Sequence, residues 1–109
     1  MFASSTKHGY GTPLPGIAMK TLVYGDNTLL TEFRLEKGSE LPMHAHPHEQ
    51  TGYLVAGSLR LTIGEGQFEV KAGDAWCIPG GVRHCAIILE DSVAIEVFSP
   101  VRQEYIPAA

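Results

Sequence analysis

Residues 38–57 read GSELPMHAHPHEQTGYLVAG, and the fold and the chemistry of the chain are both decided there. The stretch carries three of the five histidines, His44, His46 and His48, with Gln50 just beyond. Side chains two apart on a strand point to one face, so the imidazoles of His44 and His46 can reach one ion. Pro47 breaks or bends that strand, and Gln50 then opens the next one. A further imidazole, His84, follows the Pro79-Gly80-Gly81 loop at the head of the run HCAIIL. Three neutral imidazole nitrogens and one amide oxygen suit a single divalent transition metal ion: Zn, Ni, Fe, Mn or Co. Two neighbours compete for places in that set. His48 can replace one of the histidines, or stand at the rim and support the site through hydrogen bonds. Glu49 is a better anionic donor than Gln50. The alternative for the whole cluster is a His-rich surface loop without metal, and the distant His84 behind a Gly-rich loop weighs against it.

Working outward, both flanks read as strands. Upstream, IAMKTLVY and TLLTEFRLE surround a Gly25-Asp26-Asn27 turn and predict a hairpin. In its second run Leu29, Thr31, Phe33 and Leu35 alternate with Leu30, Glu32, Arg34 and Glu36, the pattern of a strand with one buried face. Downstream come LRLTI, QFEV, AWCI, HCAIIL and VAIEVF, separated by turns at residues 64–66, 71–74, 79–81 and 90–91. Short strands at close, regular spacing predict an all-β domain, a small antiparallel barrel or sandwich. No window holds a long 3.6-residue apolar period, so little helix is expected. The Ser-, Gly- and Pro-rich residues 1–16 read as an irregular N-terminal arm and residues 17–109 as one β-barrel domain. His8, isolated in the arm, reads as a solvated side chain. The tail VRQEYIPAA is expected to form a short helical turn or to pack along the barrel.

Composition narrows the function classes. The 109 residues carry a net charge of −4 and no basic stripe, which argues against nucleic acid. No apolar run approaches the roughly 20 residues needed to span a bilayer. The N-terminus lacks a signal-peptide layout, so a cytoplasmic protein is expected. Cys77 and Cys85 form no CxxC motif and read as buried free thiols. Tyr24, Tyr53 and Trp76 are candidates for pocket walls or core, and Arg60 and Arg83 for surface positions.

These motifs resemble those of the cupins. Gly38, His44-x-His46, Gln50 and Gly57 have the spacing of the first cupin motif, and Gly73, Pro79-x-Gly81 and His84 that of the second. The resemblance implies a double-stranded β-helix, often a homodimer, with the metal held inside one end of the barrel. Its spacing selects Gln50 over Glu49 as the fourth ligand beside His44, His46 and His84. Two departures stand out: the usual Glu of motif one is Gln50, and the usual closing Asn of motif two is Ile88. A neutral amide leaves the ion its full charge and withholds an anionic donor, which predicts redox-neutral Lewis-acid chemistry.

The segment 96–102, EVFSPVR, resembles the end of the KdgF-type cupins, which convert 4,5-unsaturated monouronates from pectin or alginate into linear keto forms. They also share the HxHPHxQ context of residues 44–50. The resemblance implies that Glu96 is catalytic where those cupins have Asp, that Phe98 binds substrate, and that Arg102 does both. The implied partner is a small anionic sugar. From the residues alone, Val93, Ile95 and Val97 read as the dry core face of their strand. Glu96 then lies either outward in solvent or in a polar cavity with Phe98. Arg102 either forks onto a substrate carboxylate or pairs with an acid such as Glu104. Other functions open to the same fold are a dioxygenase or isomerase, separable by oxygen uptake, and a non-catalytic metal- or sugar-binding module.

Overall fold

The computed structural model describes residues 1–108. Its regular structure is eight strands: β1 (Gly11–Leu14), β2 (Ile17–Tyr24), β3 (Leu29–Leu35), β4 (Glu40–His44), β5 (Glu49–Ile63), β6 (Gly66–Lys71), β7 (Ala75–Ile78) and β8 (His84–Ser99). A single 3-10 turn, Gln103–Tyr105, follows them in the tail. The all-β expectation therefore holds, and every strand pairing is antiparallel. No helix among the described residues is long and apolar enough to cross a membrane.

Two long strands organise everything else. The first half of β5 pairs with the second half of β8, Gln50 opposite Phe98 and Gly52 opposite Glu96. The second half of β5 pairs with the first half of β8, Leu59 opposite Ile88 and Leu61 opposite Ala86. Between the halves the register slips at Leu54/Ala56, Ala56/Ser58 and Ser58/Leu59. Such slips bend the strands, and the halves pass into two facing layers. One layer runs β1-β2-β3-β8-β5 with β7 on the far side of β5, and the other runs β4-β8-β5-β6. Gly57 sits in the bend at φ 96°. A β-carbon there would strike Ser92 Oγ and the Asp91 carbonyl, so the bend needs glycine twice over, for its dihedral and for its lack of a side chain.

The interior between the layers holds Ile17, Leu29, Phe33, Leu35, Leu54, Leu59, Leu61, Val70, Ile88 and Phe98, all buried. The hairpin of β2 and β3 is present as the alternation predicts, closed by Gly25 N–H donating to the Thr28 carbonyl at 2.9 Å.

Four expectations are corrected. Glu90 and Asp91 do not separate two strands; they are exposed residues at the bend of one 16-residue strand. Residues 11–14 of the supposed irregular arm form β1, paired to β2. Cys77 is exposed and Cys85 only half-buried, because the alternation of β7 turns Trp76 and Ile78 inward and Cys77 outward. Last, the two faces of β8 are reversed. Ala94, Glu96 and Phe98 are buried, and Val93, Ile95 and Val97 are half-exposed. Register is the cause. Phe98, Glu96 and Ala94 lie opposite Leu29, Thr31 and Phe33 of β3, and residues directly opposite in an antiparallel pair share a face. The buried face of β3 thus fixes which face of β8 is buried.

Candidate metal centre

The imidazoles of His44, His46 and His84 come together between the layers. His44 is the last residue of β4 and lies opposite His84, the first residue of β8. His46 lies past the end of β4, so loop geometry rather than strand parity brings it to the same place. The loop is held by Gly81 N–H donating to the His46 carbonyl at 2.8 Å. Ring centroids are 5.7 Å apart for His44 and His46, 4.1 Å for His44 and His84, and 4.9 Å for His46 and His84. One candidate ligand atom from each lies within 4.8 Å of the other two.

Backbone carbonyls set the tautomer of all three rings. Nδ1 of His44 lies 2.8 Å from the Pro42 carbonyl, Nδ1 of His46 3.0 Å from the His48 carbonyl, and Nδ1 of His84 2.9 Å from the Val82 carbonyl. A carbonyl only accepts, so each Nδ1 carries a hydrogen and the lone pair of the neutral ring, which a metal requires, falls on Nε2. Burial, together for His46 with the charge of Arg102, lowers the pKa of His46; burial likewise lowers that of His84, and both favour the neutral ring.

Two further observations fit a bound cation. His84 Nε2 is buried without a hydrogen-bond partner, an expensive position for a lone pair that nothing occupies. Gln50 Oε1 lies 3.0 Å from His46 Nε2, and the Gln50 amide NH₂ is turned the other way, donating to Glu96 Oε1. Two acceptors therefore face each other at hydrogen-bond distance with no proton between them. Donors that share a metal ion stand in that relation. His44, His46, His84 and Gln50 thus fit one divalent ion. Glu49, the competing donor, is exposed at the start of β5. His48 contributes its carbonyl to the His46 ring, while its own Nδ1 is buried without a partner.

Glu96 lines a mainly apolar cavity and is not in solvent, and burial raises its pKa against the opposing hydrogen bonds of Gln50 and Trp76 and the charge of Arg102. Its Oε1 accepts from Gln50 and, at 3.2 Å, from the indole N–H of Trp76. Arg102 lines the same cavity as His44, Gln50, His84, Glu96 and Phe98. Its Nε donates to Glu104 Oε1 at 3.1 Å. Its guanidinium lies 4.2 Å from the ring centre of Tyr105 and 5.1 Å from that of Phe98. The two readings of Arg102 are therefore compatible: it pairs with Glu104 and still faces the cavity. Phe98 is fully buried, edge-on to His46 at 5.8 Å. Sequence reasoning missed Tyr105 and the link from Trp76 to Glu96. For Trp76 the signal was present in the alternation of AWCI. Tyr105 lies in an aperiodic tail and carried none.

The model of the cupin domain matches residues 31–99, which span both motifs and all four candidate ligands. The chain belongs to the cupin family. Among solved cupins it is similar to KdgF from a Halomonas species, at 28% identity with a TM-score of 0.91, covering 97% of this chain and 98% of that one. A RmlC-like cupin from Shewanella frigidimarina superposes with a TM-score of 0.91 at 25% identity, covering 96% and 95%. The oxalate decarboxylase OxdC of Bacillus subtilis is 28% identical over 80 residues. That match takes in 69% of this cupin but 21% of the decarboxylase, so the chain spans about a fifth of that relative's length. The cupin is a small one that resembles KdgF over nearly its whole length, with three histidines positioned for a metal ion.

Proposed function

We propose that this cupin is a redox-neutral isomerase that opens and ketonises 4,5-unsaturated monouronates. The observation that carries the reading is Glu96, a buried carboxyl tied through Gln50 to the histidine cluster and facing the same cavity as Arg102. A divalent ion held by His44, His46, His84 and Gln50 supplies Lewis acidity toward a carboxylate or hydroxyl oxygen.

The chain's own residues do the rest. Arg102 holds the substrate carboxylate, and its stacking on Tyr105 and Phe98 limits where the fork can point. Both hydrogen bonds that Glu96 receives go to Oε1, which leaves Oε2 as the oxygen that moves the proton. Glu96 gives that proton to C4. The C4=C5 electron pair forms the new C4–H bond, and a ring-oxygen lone pair forms the C5=O5 bond. The C1–O5 bond then breaks as the anomeric hydroxyl loses its proton to water and becomes the C1 aldehyde. Glu96 regains a proton from water. The product is an isomer of the substrate, with no oxidant, reductant or net water consumed.

Support comes from the likeness to KdgF over nearly the whole chain and from the match of EVFSPVR to the end of that group of cupins. The test is an assay on 4,5-unsaturated galacturonate with the metal content measured on the same sample. Ultraviolet absorbance of the conjugated double bond should disappear without oxygen uptake, and Glu96→Ala should lose at least about 100-fold in rate. Stoichiometric oxygen consumption, or full activity in Glu96→Ala, overturns the mechanism.

A further inference from the structure

Trp76, Gly52 and Glu96 form a row across three strands. Trp76 on β7 lies opposite Gly52 on β5, and Gly52 lies opposite Glu96 on β8. Trp76 and Glu96 are thus two strands apart, too far for ordinary side chains to meet across an occupied middle position. Gly52 leaves that position empty. A β-carbon built there would overlap Cε2, Cζ2 and Nε1 of the indole, so the indole lies directly over the β5 backbone. From that slot its N–H reaches Glu96 Oε1 at 3.2 Å. Gly52 has no positive φ to explain its presence; the requirement is space.

Oε1 of Glu96 also accepts from the Gln50 amide. The carboxyl is therefore gripped at one oxygen by two N–H donors, one from β5 and one from β7. That grip has two consequences. It leaves Oε2 without a hydrogen bond from the protein, and it holds the Gln50 amide with its oxygen on the His46 side.

We propose that Trp76, seated over Gly52, is a positioning residue that aims the Glu96 carboxyl into the cavity. The inference rests on the proton-transfer role of Glu96 given above. Trp76 lines the same cavity, and its role there is to act through Glu96, whose Oε1 its N–H holds.

The test uses the fact that Trp76 is the only tryptophan, so its indole N–H gives a single resolved resonance in a proton–nitrogen correlation spectrum. In the metal-loaded wild type that proton should be shifted downfield and exchange slowly. Glu96→Ala should move it upfield and speed its exchange, whereas Glu69→Ala on the exposed Arg60 pair should leave it in place. In the uronate assay, Trp76→Phe keeps a ring but removes the donor. It should lower kcat by about 10- to 100-fold, the cost of a carboxyl aimed about 1 Å away, with KM changed less than about twofold. Gly52→Ala should lower kcat similarly by displacing the indole, and should add little to Trp76→Phe. If Gly52→Ala fails to fold, Trp76→Phe carries the test alone.

An indole resonance indifferent to Glu96→Ala overturns the inference whatever the enzyme does. So does Trp76→Phe with unchanged kcat in an active enzyme, or a loss confined to KM. Wild type inactive on every uronate, with the indole shift still dependent on Glu96, overturns the proposed function and the positioning role but leaves the hydrogen bond standing.

Discussion

Gln50 joins the histidine cluster to the buried carboxyl of Glu96. Its oxygen faces His46 Nε2 and its NH₂ donates to Glu96. Gln50→Glu keeps a ligand oxygen but replaces the donor with an acceptor. Two carboxyls would then face each other, and one proton must be shared between them. The variant should retain its metal, measured by elemental analysis, while its rate on 4,5-unsaturated galacturonate falls by at least about 10-fold. Retained activity would mean that the amide hydrogen bond to Glu96 has no part in the reaction. The four candidate ligands that the fold brings together could be picked out from motif spacing in the sequence, because the motif intervals include His46 even where the strand argument does not. The position of Glu96 could not. Strand alternation gives two faces but not which one is buried, and that choice is made by pairing with β3, some sixty residues away in sequence.

At the scale of elements, the bend in β5 and β8 decides where the site can form. It sends Gln50 and Glu96 into one layer and His84 into the other, facing each other. Gly57→Val should therefore be costly, because a side chain at φ 96° is strained and its β-carbon meets Ser92 and Asp91. A loss of about 2–4 kcal/mol is expected, read as a fall in the urea midpoint with unchanged slope. An unchanged midpoint would mean that the bend has another origin. The individual strands were legible from alternation and turn residues. Their fusion into two long bent strands was not, since a bulge and a turn have the same local composition.

β1 and the arm before it are fastened differently. Tyr10 donates to Glu32, and Arg34 Nε donates to both Tyr10 and Glu32. Burial pushes the Glu32 pKa up, but the hydrogen bonds of Tyr10 and Arg34 and the charges of Arg34 and Lys20 outweigh it, and the net shift is downward. A carboxylate with a lowered folded pKa adds stability above its unfolded pKa, near 4.3, and loses it as pH falls through the folded value. Wild type should exceed Glu32→Gln by about 0.2–1 kcal/mol at neutral pH, with the difference vanishing in acid. Chemical denaturation across a pH series checks this; a difference that grew toward low pH would contradict the assignment.

The candidate metal centre draws on both layers of the molecule. His44 on β4 and His84 on β8 belong to one layer, Gln50 on β5 to the other, and His46 to the loop between them. A single ion on these four would clamp both layers at one end of the sandwich. Without it, His84 Nε2 is buried unpartnered and the acceptors of Gln50 and His46 oppose each other. Only the folded chain assembles this donor set, so the ion must stabilise the fold by mass action: about 2.7 kcal/mol at a free concentration of 100 Kd. For a domain of this size that is roughly 10–20 °C in Tm. Calorimetry of metal-loaded protein against a chelated sample should show that gap, and His84→Ala should abolish the dependence on metal. Hydrogen exchange should locate the loss. Chelation should speed exchange in β4 and in the 79–83 loop, which carry and deliver ligands, while the pairing of β3 with the second half of β8 stays protected. Equal protection with and without metal would mean that the histidines are held by the barrel alone, and an equal Tm would mean that no ion binds there.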